Sequence, residues 1–227
     1  MSALRALVVV AGVAGLGISL PATVHAGETI PLVPDEVEPI NVEAQTVQYR
    51  GKPALRVREK PGTAVEADTL VLIPGVTLAD GTIELELAGA PRADAFEGAR
   101  GFVGVAFRLQ KDPLRYECLY LRPANGRAED QLRRNHSTQY VSHPEFPWHR
   151  LRRESPGLYE SYVDLVPGEW TRVKIVVSGT EARLFVHGAE QPRLIVKDLK
   201  LGEGGGAVGL WIGAGTEGHF ANLRVMP

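Results

Sequence analysis

The chain has 227 residues, a formal net charge of −2 and a single cysteine, and 44% of its residues are hydrophobic. One cysteine excludes an intramolecular disulfide, so packing alone must hold the fold. After residue 26 no stretch approaches the roughly 20 apolar residues that a membrane-spanning helix needs, which excludes a multi-spanning membrane protein.

The first 26 residues have the pattern of a cleavable export signal. Arg5 precedes an uncharged, largely apolar run over residues 6–20, and small or slim residues stand at Val24 and Ala26. This arrangement predicts cleavage before Gly27 and a mature protein in the periplasm or outside the cell. The alternative is a retained amino-terminal anchor, although the apolar run is short and Gly-rich for a membrane span.

Residues 27–43 form a Pro-rich, acidic arm. Pro31, Pro34 and Pro39 should interrupt any regular element there. From residue 44 onward, short β-branched and aromatic segments alternate with Gly, Pro and Asp turns, and no window has helical period. This pattern predicts an all-β domain over residues 44–227, built as a sandwich of two antiparallel sheets.

The clearest hairpin spans residues 170–187, where apolar residues alternate with mostly polar ones on both sides of a turn at Ser178 and Gly179. Other strands are predicted at residues 46–50, 54–58, 70–73, 82–87, 102–109, 116–122, 159–165, 194–197, 208–212 and 219–225.

A long polar loop is predicted at residues 123–158, which interrupts the rhythm of strands and turns. Long irregular segments inside compact domains are usually functional or disordered. Tyr140, Phe146 and Trp148 supply apolar surface that packs a loop, so we expect this one to be ordered.

Two segments, Phe102-Val103-Gly104-Val105-Ala106-Phe107-Arg108 and Tyr116-Glu117-Cys118-Leu119-Tyr120-Leu121-Arg122, resemble paired strands of the 3-keto-disaccharide hydrolase domain family. The order of the later segments at residues 170–179, 184–188, 206–210 and 220–225 is also similar. This family belongs to the concanavalin A-like lectin/glucanase superfamily. The resemblance implies a jelly-roll sandwich and a glycoside hydrolase activity on 3-keto-disaccharides.

A candidate ligand-binding face lies on those two strands. Period-2 alternation places Gly104 and Ala106 together, which leaves a trough, and an antiparallel partner sets Arg108 beside Tyr120 or Arg122. A flat aromatic ring and planar guanidinium donors suit the apolar face and the hydroxyl or carboxylate groups of a sugar. The alternative is an Arg and Tyr pair that merely covers a sheet surface.

The long loop supplies a candidate lid over this face. Gln139, Tyr140 and His143 provide polar groups, and Trp148 provides a platform for a sugar ring. Trp148 has the alternative role of anchoring the loop by packing.

The sequence predicts no metal site and no cofactor. His136, His143 and His149, with Glu145, match no zinc-ligand spacing, whereas a structural calcium bound by carboxylates and carbonyls stays open. Glycoside cleavage normally needs two facing carboxyl groups, and no spacing here selects such a pair. The catalytic residues are therefore unassigned.

Charge is concentrated in the middle of the chain, where residues 100–153 carry 11 basic and 5 acidic residues. Without interleaved aromatic and basic repeats, this favours anionic or hydroxyl-rich polymers over nucleic acid. We expect an exported carbohydrate-binding domain that recognises a poly- or oligosaccharide, with no membrane association after signal cleavage. The alternatives are the glycoside hydrolase and an exported protein-interaction domain, and the oligomeric state is left open.

Overall fold

A computed structural model describes residues 27–227 of the chain. The predicted export signal at residues 1–26 lies outside the described residues. The described part is a sandwich of two antiparallel seven-stranded sheets. Its strands are, in chain order, β1 (Glu38–Ile40), β2 (Val42–Tyr49), β3 (Lys52–Glu59), β4 (Leu70–Leu78), β5 (Gly81–Pro91), β6 (Val103–Lys111), β7 (Leu114–Leu121), β8 (Thr138–His143), β9 (Glu160–Ser161), β10 (Thr171–Ser178), β11 (Glu181–Val186), β12 (Leu194–Val196), β13 (Gly206–Ile212) and β14 (Thr216–Met226).

The two sheets differ in strand order. The first sheet has the order β1-β4-β13-β6-β7-β8-β9, and the second has the order β12-β11-β10-β5-β14-β3-β2. Within the described part, six of the thirteen connections between successive strands join neighbours in one sheet, and the other seven cross from one sheet to the other, as in jelly-roll sandwiches. The predicted all-β, two-sheet antiparallel sandwich is confirmed.

The hairpin of β10 and β11 shows how the sequence builds the core. Val173 pairs with Val186, Ile175 with Leu184, and Val177 with Ala182. All six side chains are buried, because period-2 alternation turns this apolar set toward the opposite sheet. Gly179 occupies the two-residue turn with a φ of 54°, a conformation that glycine adopts without steric cost.

Strand β7 separates two apolar layers. Leu119 and Leu121 lie in the core between the sheets, whereas Tyr116, Cys118 and Tyr120 belong to a second apolar cluster on the outer face of the first sheet. Cys118 is fully buried, and this burial raises the pKa of its thiol. The first sheet thus carries apolar side chains on both faces.

The amino-terminal arm is more regular than we expected. Residues 38–43 contribute β1 and the start of β2, so the expectation that prolines would prevent any regular element there is wrong. Pro39 is tolerated because β1 is the edge strand of the first sheet, where a missing N–H need not break a ladder.

The segment 123–158 is also more regular than the predicted loop. It contains β8, which pairs with both β7 and β9, and the short helices α1 (Gln131–Asn135) and α2 (Trp148–Glu154). Helices of one or two turns are too short to show helical period in the sequence, which explains the error. Within residues 27–227, no helix has the length and apolar character needed to cross a bilayer.

Candidate ligand-binding cleft

A cleft of about 810 Å³ lies on the outer face of the first sheet. We call it the outer cleft. Its floor is formed by strand residues, and its walls are formed by the segments at 65–69, 96–102 and 141–149. Three partly exposed apolar side chains stand at its mouth, namely Val65, Phe96 and Trp148.

The floor of the outer cleft depends on a glycine. Gly104 pairs with Tyr120 on one side and with Trp211 on the other. Because Gly104 has no side chain, the rings of Tyr120 and Trp211 meet over it, with centroids 4.8 Å apart. A Cβ atom at position 104 would lie 2.5 Å from the Cβ atom of Tyr120. The predicted trough is therefore present, and aromatic rings from both neighbouring strands fill it.

One end of the cleft is basic and is built around Arg122. The guanidinium group donates hydrogen bonds to the Tyr120 hydroxyl at 2.9 Å, to Oε1 of Gln139 at 3.1 Å and to the carbonyl of His136 at 3.2 Å. It also lies 3.5 Å from a carboxylate oxygen of Glu160. Arg122 is buried, so these contacts fix its orientation at the cleft.

Glu160 is a buried carboxylate that joins two arginines. Its side chain also accepts hydrogen bonds from Arg152, one of them at 2.8 Å, and its exposed fraction is 2%. The Trp148 ring lies 4.8 Å from the guanidinium carbon of Arg152 and 5.9 Å from that of Arg122. Such distances allow cation–π attraction, which holds the indole against this end of the cleft.

Two more arginines complete this region, which we call the arginine end. It comprises Arg100, Arg122, Arg133 and Arg152. Burial, followed by the like charges of Arg133 and Arg122, lowers the pKa of Arg100. Burial also lowers the pKa of His136, with the charges of Arg152 and Arg122 acting in the same direction.

The opposite end carries an acidic group. Tyr116 donates a hydrogen bond to Oδ1 of Asp68 at 2.7 Å, and Nδ1 of His143 lies 3.3 Å from the same oxygen. The rings of Tyr116 and His143 stack at 4.9 Å. Burial and the charge of Asp68 raise the pKa of Tyr116, so its hydroxyl stays a donor. This end therefore offers a carboxylate and an imidazole.

The structure brings four of the predicted site residues together. Tyr120, Arg122, His143 and Trp148 all line the outer cleft. Gln139 lies behind them, where its buried amide oxygen orients Arg122.

Tyr140 does not reach the cleft. Its side chain points into the core between the sheets, where the hydroxyl donates to Glu117 at 2.7 Å and accepts from the amide of Lys200 at 2.8 Å. Burial and the charge of Glu117 raise the pKa of Tyr140. The expectation that Tyr140 belongs to a lid is therefore wrong, because it lies on β8 with its side chain on the inner face.

Arg108 does not lie beside Tyr120 or Arg122 either. The pairing of β6 with β7 is irregular between Phe107 and Gln110, and Arg108 has a φ of 50°. This bulge breaks the alternation on which our expectation rested, and the register before it sets Tyr120 opposite Gly104 rather than Arg108. The buried guanidinium group instead binds three loops at the edge of the sandwich. Its partners are the carbonyls of Ala79, Gly179 and Gly202 and the carboxylate of Asp80.

Several residues of the cleft escaped sequence reasoning. Trp211 had a usable signal, since it stands at an outward position between Leu210 and Ile212 in a predicted strand. Asp68 and Arg100 had none, because they come from segments that only the fold brings together.

Between Gly27 and Pro227, no group of three or more His, Cys, Asp or Glu side chains is placed to hold a metal ion. The groups that line the cleft include aromatic rings, guanidinium groups and the Asp68–His143 pair.

Comparison with known proteins identifies the fold. No family model matches the chain, and no curated protein matches its sequence. A carbohydrate-binding module of Bacillus subtilis, CBM66, matches with a TM-score of 0.56 and 11% identity, over 85% of this chain and 96% of that one. A Bacillus subtilis protein of unknown function with a galectin-like fold matches with a TM-score of 0.52 and 13% identity, over 85% and 89%. At these identities the likenesses show the fold alone, a two-sheet β-sandwich of the kind that the sequence predicted.

Proposed function

We propose that this protein binds a poly- or oligosaccharide in the outer cleft. The observation that carries the proposal is the partly exposed ring of Trp211 on the floor, packed against the buried Tyr120, with the exposed ring of Trp148 at the mouth and charged groups at both ends. Aromatic faces pack against the apolar faces of sugar rings, while guanidinium, imidazole and carboxylate groups bind hydroxyls. The volume of the cleft is within the range of small-molecule sites.

The fold gives the carbohydrate-binding proposal only general support. One solved structure with this architecture carries the name of a carbohydrate-binding module, which is consistent with the proposal. The details of binding rest on the cleft itself.

The carboxylates favour binding over hydrolysis. Glycosidases hold two carboxyl groups on opposite sides of the scissile bond. Among the described residues, the acids that line the cleft are Glu66 and Asp68, which lie two positions apart on one segment. Glu160 is engaged by Arg122 and Arg152. No pair of acids thus faces another across the cleft.

The Asp68–His143 pair favours one second candidate, the hydrolysis of 3-keto-disaccharides suggested by the family resemblance. Keto-sugar chemistry could use a single base, and an imidazole held 3.3 Å from a carboxylate is a suitable one. Turnover of a 3-keto-disaccharide that disappears in His143→Gln would favour this candidate. Binding without turnover would favour the first.

A glycan screen followed by calorimetry tests the proposal. The purified protein should bind a defined oligosaccharide, and Trp148→Ala should weaken this binding about tenfold, equivalent to ~1.4 kcal/mol. Tyr162→Ala is the matched control, because Tyr162 is exposed to a similar degree but lies outside the cleft. Equal affinity in wild type and Trp148→Ala would place the ligand elsewhere on the sandwich.

We also propose export, on the pattern of residues 1–26. Mass spectrometry of the protein from its native host should find Gly27 at the amino terminus. An intact Met1 or a lipid-modified terminus would contradict this.

A further inference from the structure

We infer that the glycan in the outer cleft carries an anionic group, a carboxylate or a sulfate, on the sugar that occupies the arginine end. This inference rests on the proposed carbohydrate-binding function and adds the class of its ligand. A neutral sugar could pack on the aromatic floor, but it would leave most of the positive charge at the arginine end without a partner.

The arginine end has more positive charge than the protein neutralises. Four guanidinium groups converge there, and Glu160 is the carboxylate that contacts two of them, Arg122 and Arg152. Glu66 and Asp68 line the cleft, but Asp68 is engaged at the opposite end by Tyr116 and His143. The basic surplus is therefore local to one end.

Two of the four arginines have no carboxylate partner within residues 27–227. Arg100 donates to the carbonyls of Glu97 and Ala99, which are neutral acceptors. The guanidinium group of Arg133 has neither a hydrogen bond nor an ion pair in this part of the chain, and its residue is exposed. Both groups are planar forks of donors, which match carboxylate and sulfate oxygens.

The titration of Arg100 agrees with this surplus. Burial and the charges of Arg133 and Arg122 lower its pKa, and the charge of Glu97 offsets this only in part, so the site already bears a cost from crowded like charges. A bound anion would relieve that repulsion, whereas another neutral group would not.

A buried acceptor beside the arginines points to a sugar rather than to a bare anion. Asn125 lines the cleft and is buried, and its Oδ1 has no hydrogen-bond partner among the described residues. Its amide nitrogen is occupied by the carbonyl of His136 at 3.1 Å. An unsatisfied buried acceptor is costly, and a sugar hydroxyl next to the anionic substituent would supply the missing donor.

The test compares matched pairs of charged and neutral glycans by calorimetry. One arm uses oligogalacturonate and oligomannuronate, each beside its carboxyl-reduced counterpart, and the other uses a sulfated galactan oligosaccharide beside its desulfated form. We expect at least one charged member to bind tenfold or more tightly than its neutral counterpart. The arm in which this preference appears identifies carboxylate or sulfate as the anionic group.

Arg133→Gln localises the effect. It should weaken binding of the charged ligand three- to tenfold more than binding of the neutral counterpart, and it should leave the melting temperature unchanged, because Arg133 is exposed. Arg127→Gln is the matched control, since it removes the same charge from an exposed side chain paired with Asp164 outside the cleft.

The outcomes are distinguishable. Equal affinity for charged and neutral members would overturn this inference and leave the carbohydrate-binding proposal standing. Absence of binding to every member would overturn both. Tighter binding of a single-stranded oligonucleotide than of any acidic glycan would also overturn the inference, because it would show that the arginines serve phosphates.

Discussion

Arg108 lies at the bulge within β6 and Arg122 lies directly after the end of β7, and both are buried, with 2% and 5% of their surface exposed. Their surroundings differ. Arg108 is bound mainly by backbone carbonyls from three loops, whereas Arg122 is bound mainly by side chains that border the outer cleft. A buried arginine saturated by loop carbonyls ties the fold together, and one held by cleft side chains is positioned for a ligand.

The largest effect should come from Arg108→Ala. Loss of several charge-assisted hydrogen bonds, each contributing ~1.5 to 3 kcal/mol, should lower the free energy of unfolding by about 3 to 5 kcal/mol in denaturant titrations. Glycan affinity should stay unchanged under conditions where the variant is folded. In Arg127→Ala, which removes an exposed ion pair, the loss should be below about 1 kcal/mol. A stable Arg108→Ala protein with weakened glycan binding would invert the comparison.

A third buried basic group, His219 on β14, lies away from Arg108 and Arg122. It should make the stability of the protein depend on pH. It stacks on Tyr49 at 3.6 Å, and burial lowers the pKa of His219 to about 4. Its pKa in the unfolded chain is about 6.5, so the unfolded state binds more protons between pH 6.5 and 4. Above pH 6.5 His219 should therefore not reduce the free energy of unfolding. As the pH falls from 6.5 toward 4, the free energy of unfolding should decrease by up to about 3 kcal/mol.

Denaturant titrations across this pH range check the prediction. His219→Gln should reduce the slope between pH 6.5 and 4, whereas His149→Gln, which changes an exposed imidazole, should keep it. An unchanged slope in His219→Gln would assign the acid sensitivity to other groups.

A smaller effect should follow from Gly104→Ala in the floor of the outer cleft. The new methyl group would meet the backbone and Cβ of Tyr120, and overpacking of this kind costs about 1 to 3 kcal/mol. Because it displaces Tyr120 from Trp211, it should weaken glycan binding as well. Gly205→Ala is the control, since a Cβ there meets only ordinary contacts at 3.5 Å or more. Loss of stability with full affinity would show that the floor is not part of the site.

The sequence predicted the parts of the fold that depend on local alternation. The hairpin of β10 and β11 and the two faces of β7 follow directly from period-2 patterns, because each face of a strand has a single environment. Gly104 was also placed correctly as the base of a trough.

The errors have a common physical origin. Arg108 was misplaced because a bulge inverts the side-chain direction without any change in residue type that marks it. The contact of Glu160 with Arg122 and Arg152, and that of Asp68 with His143, join segments that are distant in sequence or separated by turns. Such contacts depend on tertiary packing, which a single sequence does not display.

Strands form the floor of the outer cleft, and connecting segments form its walls. We expect floor and wall residues to differ in how readily they change during evolution. Substitutions of the floor residues Gly104 or Trp211 would alter the sheet itself. Proteins that descend from this one should therefore retain both residues as long as the sandwich fold persists. Changes in the walls, such as those at Phe96 or Trp148, affect surface segments that tolerate insertion and exchange. Changes in ligand preference should therefore arise by replacement of the walls, while the floor stays unaltered.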